Sequence, residues 1–313
     1  MARRFVPLLA ALGLAAVVPA GAQTRTSSFA VNDPGVRASA LGGAYTAVGG
    51  DPMALYWNPA TLFFQQGRTA QASYSDLYGL GLARRTYLTV GWKSVLEEPR
   101  FVGDRVEVRR DRQSGPAYAL GLESLFLDLD ENGYSELSLG GAAAWGYGDS
   151  FALGMSARTL FVTSDLPDVG AFGYDLGIGL AWQFARGERL GVSVPHLLSR
   201  IFWRFDSTER LPFGVDLGWM KRFGPHLLAS ADVEARENEE SPYRFGAGLE
   251  WEAIPERVTL RGGFRHLSGG YDDINKPTFG AAVAVSHLRF DYAFRLGPDV
   301  LGDTHRLGLD VTF

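Results

Sequence analysis

From about residue 69 to the C-terminus the chain alternates bulky apolar residues with small or charged ones. That period of two belongs to strands exposed to different surroundings on their two faces, not to helices. In 288–296, Leu288, Phe290, Tyr292, Phe294 and Leu296 share one face, and Arg289, Asp291, Ala293 and Arg295 share the other. In 172–184 the pattern repeats, with Phe172, Tyr174, Leu176, Ile178, Leu180, Trp182 and Phe184 set against Gly173, Asp175, Gly177, Gly179, Ala181 and Gln183. With Gly, Pro, Asn and Asp clusters as punctuation, fourteen strands are expected. They fall at 69–76, 85–93, 114–123, 135–146, 150–162, 171–184, 189–197, 209–222, 226–236, 242–252, 257–266, 277–286, 287–296 and 304–313.

The faces decide between water and lipid. A soluble sandwich buries its apolar face and covers the other with charge. Here the apolar face is rich in aromatics, while the opposite face mixes Gly, Ala and Ser with scattered charge. If Arg289 and Arg295 faced lipid near the midplane, each would cost roughly 2–4 kcal/mol. The aromatic face is therefore expected outside and the charged face inside a barrel. Trp92, Trp145, Trp182, Trp219 and Trp251 end alternate strands, the placement of an interfacial aromatic belt. The turns on that side are short, such as Gly148-Asp149 and Gly224-Pro225, which suits a periplasmic rim. A last strand ending in Phe313 resembles the assembly signal of bacterial outer-membrane proteins.

The ends of the chain behave differently from its middle. Arg3 and Arg4 precede an apolar run from Phe5 to Val18 and then Ala20-Gly21-Ala22, which predicts a signal peptide over 1–22 cleaved near Ala22. Its removal takes two Arg and no acids, leaving 28 basic against 35 acidic residues, a net −7. That balance argues against a nucleic-acid partner. With no Cys there is neither a disulfide nor a thiolate metal site.

Residues 23–66 are apolar without a period of two and form an expected plug ahead of the barrel over 67–313. Gly42-Gly43 and Gly49-Gly50 mark tight turns, Asp51 is placed to cap a short helix, Pro52 suits its first position, and Pro59 stops it near Asn58. A fourteen-stranded ring encloses more space than side chains alone fill in a ring of about eight.

The run from Gly35 to Val48, followed by Asp51-Pro52 and Tyr56-Trp57-Asn58-Pro59-Ala60, resembles the N-terminal hatch signature of the PorV/PorQ family, which sits among the FadL-like outer-membrane proteins. Gly270-Tyr271-Asp272-Asp273, the stretch 288–294, and Leu301-Gly302-Asp303-Thr304-His305-Arg306 are similar to that family's tail. The resemblance implies an all-β, 14-stranded antiparallel transmembrane β-barrel in the bacterial outer membrane, with an N-terminal hatch in the lumen. The hatch residues it marks are Gly42, Gly43, Asp51, Pro52, Trp57, Asn58, Pro59 and Ala60. No cofactor and no enzymatic activity are implied.

Chemistry is sparse elsewhere. His196, His226, His266, His287 and His305 are isolated and lack zinc-helix spacing. No G-x-S-x-G elbow is present, and Gly79-Leu80-Gly81 lacks a following helix. Asp128, Asp130, Asn132, Gly133 and Glu136 match the start of a calcium loop, but position twelve is Leu139; a polar surface loop accounts for the same residues. Ten of the sixteen residues over 97–112 are charged, which reads as a solvated hairpin extension or as a docking surface on the periplasmic side.

Beyond outer-membrane lipid, two tasks remain open. One is passage of small hydrophobic molecules through a hatch-gated lumen, as in FadL-like proteins. Inward charges at Arg158, Asp175, Asp216, Arg244, Glu250, Arg261, Arg265 and Arg289 count against an apolar tunnel. The other is a type IX secretion component that binds exported protein cargo, as PorV-like members do.

Overall fold

The computed structural model describes residues 29, 33–77, 79, 81–94, 96–102, 105–111, 115–129, 132–166, 169–204, 207–237, 242–268, 274–297 and 302–313. The expected signal peptide, Asp130 and the Gly270–Asp273 part of the tail motif lie outside them. Among the described residues no helix is long and apolar enough to cross a membrane; the strands form the wall instead.

Fourteen strands close into one antiparallel ring: β1 (Arg68–Leu77), β2 (Ala83–Lys93), β3 (Ala117–Leu129), β4 (Asn132–Tyr147), β5 (Phe151–Ser164), β6 (Gly170–Ala185), β7 (Glu188–Trp203), β8 (Gly214–Phe223), β9 (Leu227–Arg236), β10 (Tyr243–Ile254), β11 (Val258–Ser268), β12 (Ile274–Val285), β13 (Leu288–Arg295) and β14 (Thr304–Thr312). Each pairs with its sequence neighbour, and β14 pairs with β1 from Thr69↔Thr312 to Asp76↔His305, so no edge is left open.

Alternation places the faces as expected. On β13, Phe290 is 54% exposed while Asp291 is 5% exposed; on β6, Trp182 is 46% exposed and Asp175 only 4%. Bulky apolar side chains therefore point out of the ring, and glycine and charge point in. An even-stranded antiparallel ring with an apolar outer band is an outer-membrane-type barrel. Trp145, Trp182 and Trp251 are exposed on its outer surface toward the tight-turn end.

Two local expectations change. The seventh strand, expected at 189–197, continues as β7 to Trp203 through a bulge at Pro195. The β6–β7 register jumps from Leu176↔Leu198 to Ile178↔Val194, and His196 takes a φ of 56°. A bulge accommodates a proline that cannot donate to the ladder. The match to a calcium loop is also overturned. Asp128 pairs with Gly133 and Leu129 with Asn132, leaving two residues between the strands where a calcium loop needs about twelve. Glu136 is buried on β4 and accepts a hydrogen bond from Tyr134 Oη at 2.7 Å. The charged stretch 97–112 does contain a hairpin, in keeping with its reading as a hairpin extension. Leu96–Val102 pairs with Arg105–Asp111, apart from the barrel sheet and on its tight-turn side.

Candidate functional site

The barrel is filled by its own N-terminal segment. Helix α1 (Val36–Ala40), helix α2 (Ala54–Trp57) and the 3-10 turn Pro59–Phe64 lie inside the ring, with nearly every residue from Pro34 to Phe63 buried. Glycine on the inner wall makes the fit possible. A Cβ at Gly154 would collide with Ala60, at Gly179 with Asn58, at Gly191 with Thr46, at Gly248 with Leu41, and at Gly263 with Gly42. Barrel glycines on four strands thus let hatch backbone approach wall backbone, and Gly179 on a fifth admits the Asn58 side chain. The Gly42-Gly43 turn needs its own glycines, with φ of 66° and 78° while it lies against Phe264 and Arg265.

Polar links then fix the segment in register. Burial pushes the Asp33 carboxyl up, but Arg265, Arg295 and Arg306 beside it prevail and hold it well below the usual carboxylate range. Arg37 grips Glu250 through two hydrogen bonds of 2.7 Å; Glu250 also accepts from Arg261 at 2.7 Å, and Arg261 donates to Asp291 at 2.6 Å. Asp232 accepts the backbone N–H groups of Tyr45 and Thr46 at 2.8 and 2.7 Å. Charged bonds of this kind are roughly twice as strong as neutral ones.

The expected hatch residues meet in this seat. Asn58 Nδ2 donates to Thr46 O at 2.8 Å and to Leu180 O at 3.1 Å, while its Oδ1 accepts from Ala60 N. Asn58 therefore caps the 3-10 turn, with Pro59 in its first turn. Trp57 Nε1 donates to Pro34 O at 2.9 Å. Pro52 lies beside Gly91 on the wall. Asp51 is not the cap of α2, whose N-cap is Met53; it accepts from Met53 N and from the Tyr45 hydroxyl instead. Pro52 accordingly sits before the helix rather than at its first position.

Sequence reasoning missed Asp33 and Asp232. An acid at an inward position of β9 was a usable signal for Asp232; a lone acid ahead of the barrel offered none for Asp33. His196 is half-buried on β7 and lies 3.0 Å from Asp175, which also accepts from Arg158 at 2.6 Å. These residues border an enclosed polar cavity of about 50 Å³ beside Tyr56 and Trp57.

Two further spaces lie at opposite ends. Away from the tight turns, Phe29 packs with Leu160, Val162, Ile201 and Leu211 in an apolar cluster, flanked by Tyr134 and Trp203. At the tight-turn end a vestibule of about 820 Å³ is lined by Phe63, Phe64, Lys93 and Phe313. Lys93 Nζ stands 3.9 Å over the Phe63 ring, and the Arg189 guanidinium 3.5 Å over Phe64.

No family model and no curated protein matches the chain. Solved structures do. The toluene transporter TbuX of Ralstonia pickettii aligns at a TM-score of 0.59 and 15% identity, over 90% of this chain and 98% of its own. The toluene transporter TodX of P. putida gives 0.63 at 11% identity, again over 90% and 98%. A Pseudomonas aeruginosa FadL homologue gives 0.62 at 12% identity, with the same coverage. The fold is the FadL-type barrel. Within that FadL-type fold, this chain's β3 pairs with β2 and β4 without a register shift, while shifts occur between β6 and β7 and between β10 and β11.

Proposed function

We propose that the chain is an outer-membrane channel of the FadL type that passes small hydrophobic molecules, with residues 23–66 as a hatch and 67–313 as the barrel. One observation carries this reading. At the end away from the tight turns the phenyl ring of Phe29 is buried in an apolar cluster of wall side chains, Leu160, Val162, Ile201 and Leu211. A space that fits a phenyl ring is suited to a small aromatic hydrocarbon, the class named for TbuX and TodX. Such a molecule enters by displacing Phe29, and its onward passage requires the seat around Gly42, Gly43, Trp57, Asn58, Pro59 and Ala60 to shift.

Uptake of labelled toluene by cells carrying the chain in the outer membrane tests this. Uptake faster than in cells without it is expected, and Leu160→Arg or Ile201→Arg should abolish the gain while the barrel keeps its heat-modifiable mobility. A folded barrel that gives no gain would sink the reading.

A second reading, a PorV-like secretion component binding exported protein, is favoured by the Leu96–Val102/Arg105–Asp111 hairpin on the tight-turn side. Removing residues 96–111 should then abolish co-purification of a protein partner while leaving toluene uptake unchanged.

A further inference from the structure

At the end away from the tight turns, the inner wall gathers positive charge. Arg265 on β11, Lys276 on β12, Arg295 on β13 and Arg306 on β14 form an arc there, and Asp33 of the hatch lies among them. Register brings two of the cations face to face. Arg265 pairs directly with Lys276, and Arg295 pairs with Thr278, two residues further along β12. Like charges directly opposite each other on neighbouring strands are destabilising.

The acids present do not balance this arc. Asp33 accepts from Arg265 through one carboxylate oxygen and from Arg295 through the other, while Arg306 donates to its backbone carbonyl. Arg306 Nε is buried without a partner. Arg265 also donates to Glu234 at 2.8 and 3.0 Å, but Glu234 is shared with Arg236 at 3.3 Å and Arg244 at 3.6 Å. Arg236 in turn pairs with Asp216. The arginines of this network, at 236, 244, 265, 295 and 306, outnumber its carboxylates at 33, 216 and 234. Lys276 adds a further positive charge. Of the charges acting most strongly on it, Arg295, Arg265 and Arg244 are alike in sign, and Asp33 is the one acid.

We propose that this arc is a binding site for a phosphate group, held by Lys276, Arg265 and Arg295 at the outer mouth of the lumen. Short turns mark the periplasmic rim of such barrels, so the opposite end opens to the exterior. The arc is reachable from there: the Arg295 and Asp33 side chains keep 15% and 17% exposure, and Lys276 is half-buried. The charge surplus selects the ligand. A carboxylate would add one negative charge, which Asp33 already supplies. A phosphate group carries about −1.5 to −2 near neutral pH and offers three strong acceptor oxygens. Guanidinium forks match those oxygens in pairs, and a lysine ammonium binds them as a point charge. Bound between β11, β12 and β13, the group separates Arg265 from Lys276 and competes with Asp33 for Arg265 and Arg295.

The test uses the full chain folded in detergent and dialysed to equilibrium against labelled inorganic phosphate at fixed ionic strength. The temperature at which folded mobility is lost is the second readout. Saturable binding and a raised transition temperature are expected. Lys276→Gln removes a half-buried cation and should weaken binding about tenfold or more, the scale of one hydrogen bond between charged groups. Asp33→Asn removes the competing carboxylate and should tighten binding several-fold even though it loosens the hatch, a gain that a merely structural network would not show. If Asp33→Asn does not fold, Lys276→Gln decides. Glycerol phosphate in place of inorganic phosphate separates two sources of the group. Binding of both marks a phosphomonoester headgroup, binding of inorganic phosphate alone marks the free ion, and either result supports the site. Absent binding, binding indifferent to Lys276→Gln, an affinity unchanged in folded Asp33→Asn, or full displacement by an equal concentration of chloride would each overturn it.

Discussion

Glu250 holds two partners from different parts of the chain, Arg37 of the hatch and Arg261 of the wall, so its loss leaves two guanidinium groups short of a counter-charge. Breaking a buried pair from one side costs about 3–5 kcal/mol. Glu250→Gln is expected to lower stability on that scale, read as a shift of the urea midpoint in detergent, and to expose residues 33–66 to protease. Asp33 gives a pH signature. Its carboxyl is depressed in the folded chain by three arginines, so its contribution is fully present above the unfolded value of about 3.9 and is lost as pH falls toward the folded value. Wild type should therefore be more stable than Asp33→Asn by a constant margin from neutral pH down to about 4, with the margin closing only in stronger acid. A margin that already shrinks between neutral pH and about 5 would show that the three arginines do not hold the ionised carboxyl.

At the scale of the strand, two adjacent glycines on β11 separate the packing role from the conformational one. A Cβ on Gly262 meets nothing within 4 Å, whereas a Cβ on Gly263 would strike the backbone of Leu41 and Gly42, which cannot swing aside as a side chain can. Gly262→Ala should change stability by no more than the ordinary surface range of about ±0.5 kcal/mol, read from the urea midpoint. Gly263→Ala should cost at least the 1–3 kcal/mol of an overpacked core and loosen the hatch in limited proteolysis. Equal behaviour of the two would mean that the hatch does not press on the wall there. The same contrast explains what was legible beforehand. Strand count and facing follow from alternation, because Phe290 and Asp291 cannot both suit lipid. What glycine does on the inner face was not legible, since a small residue reads alike whether it lines water or admits another backbone. The extension of β7 beyond 197 was not legible, because a bulge depends on the neighbouring strand, which local sequence does not show. Among the hatch residues, the end of the short helix at Asn58 followed from Pro59, while the partners of Asp51 depended on Tyr45 and Arg37 folding back beside it.

For the whole molecule, the question is whether so wide a ring is open. Rings of about sixteen strands leave aqueous channels, and rings of about eight are filled by side chains. Here the intermediate ring is occupied by hatch backbone seated on wall glycines, and by ion pairs that extend from Asp33 and Arg265 to Glu234 and Arg236. Ions crossing this interior would have to displace paired charges that are themselves short of water. Wild-type protein in a planar bilayer should therefore show no steady ion conductance. A chain lacking residues 33–64 frees the inner arginines and acids to be solvated, and should give discrete conductance steps if it retains heat-modifiable mobility. The ring would then resemble a small porin with charged walls. Steady conductance from the intact chain would mean that the hatch does not seal the lumen, and passage would no longer depend on its movement. A silent, folded deletion variant would place the seal in the wall charges instead, and would shift the search for a gate from the hatch to the Arg158, Asp175 and His196 side of the barrel.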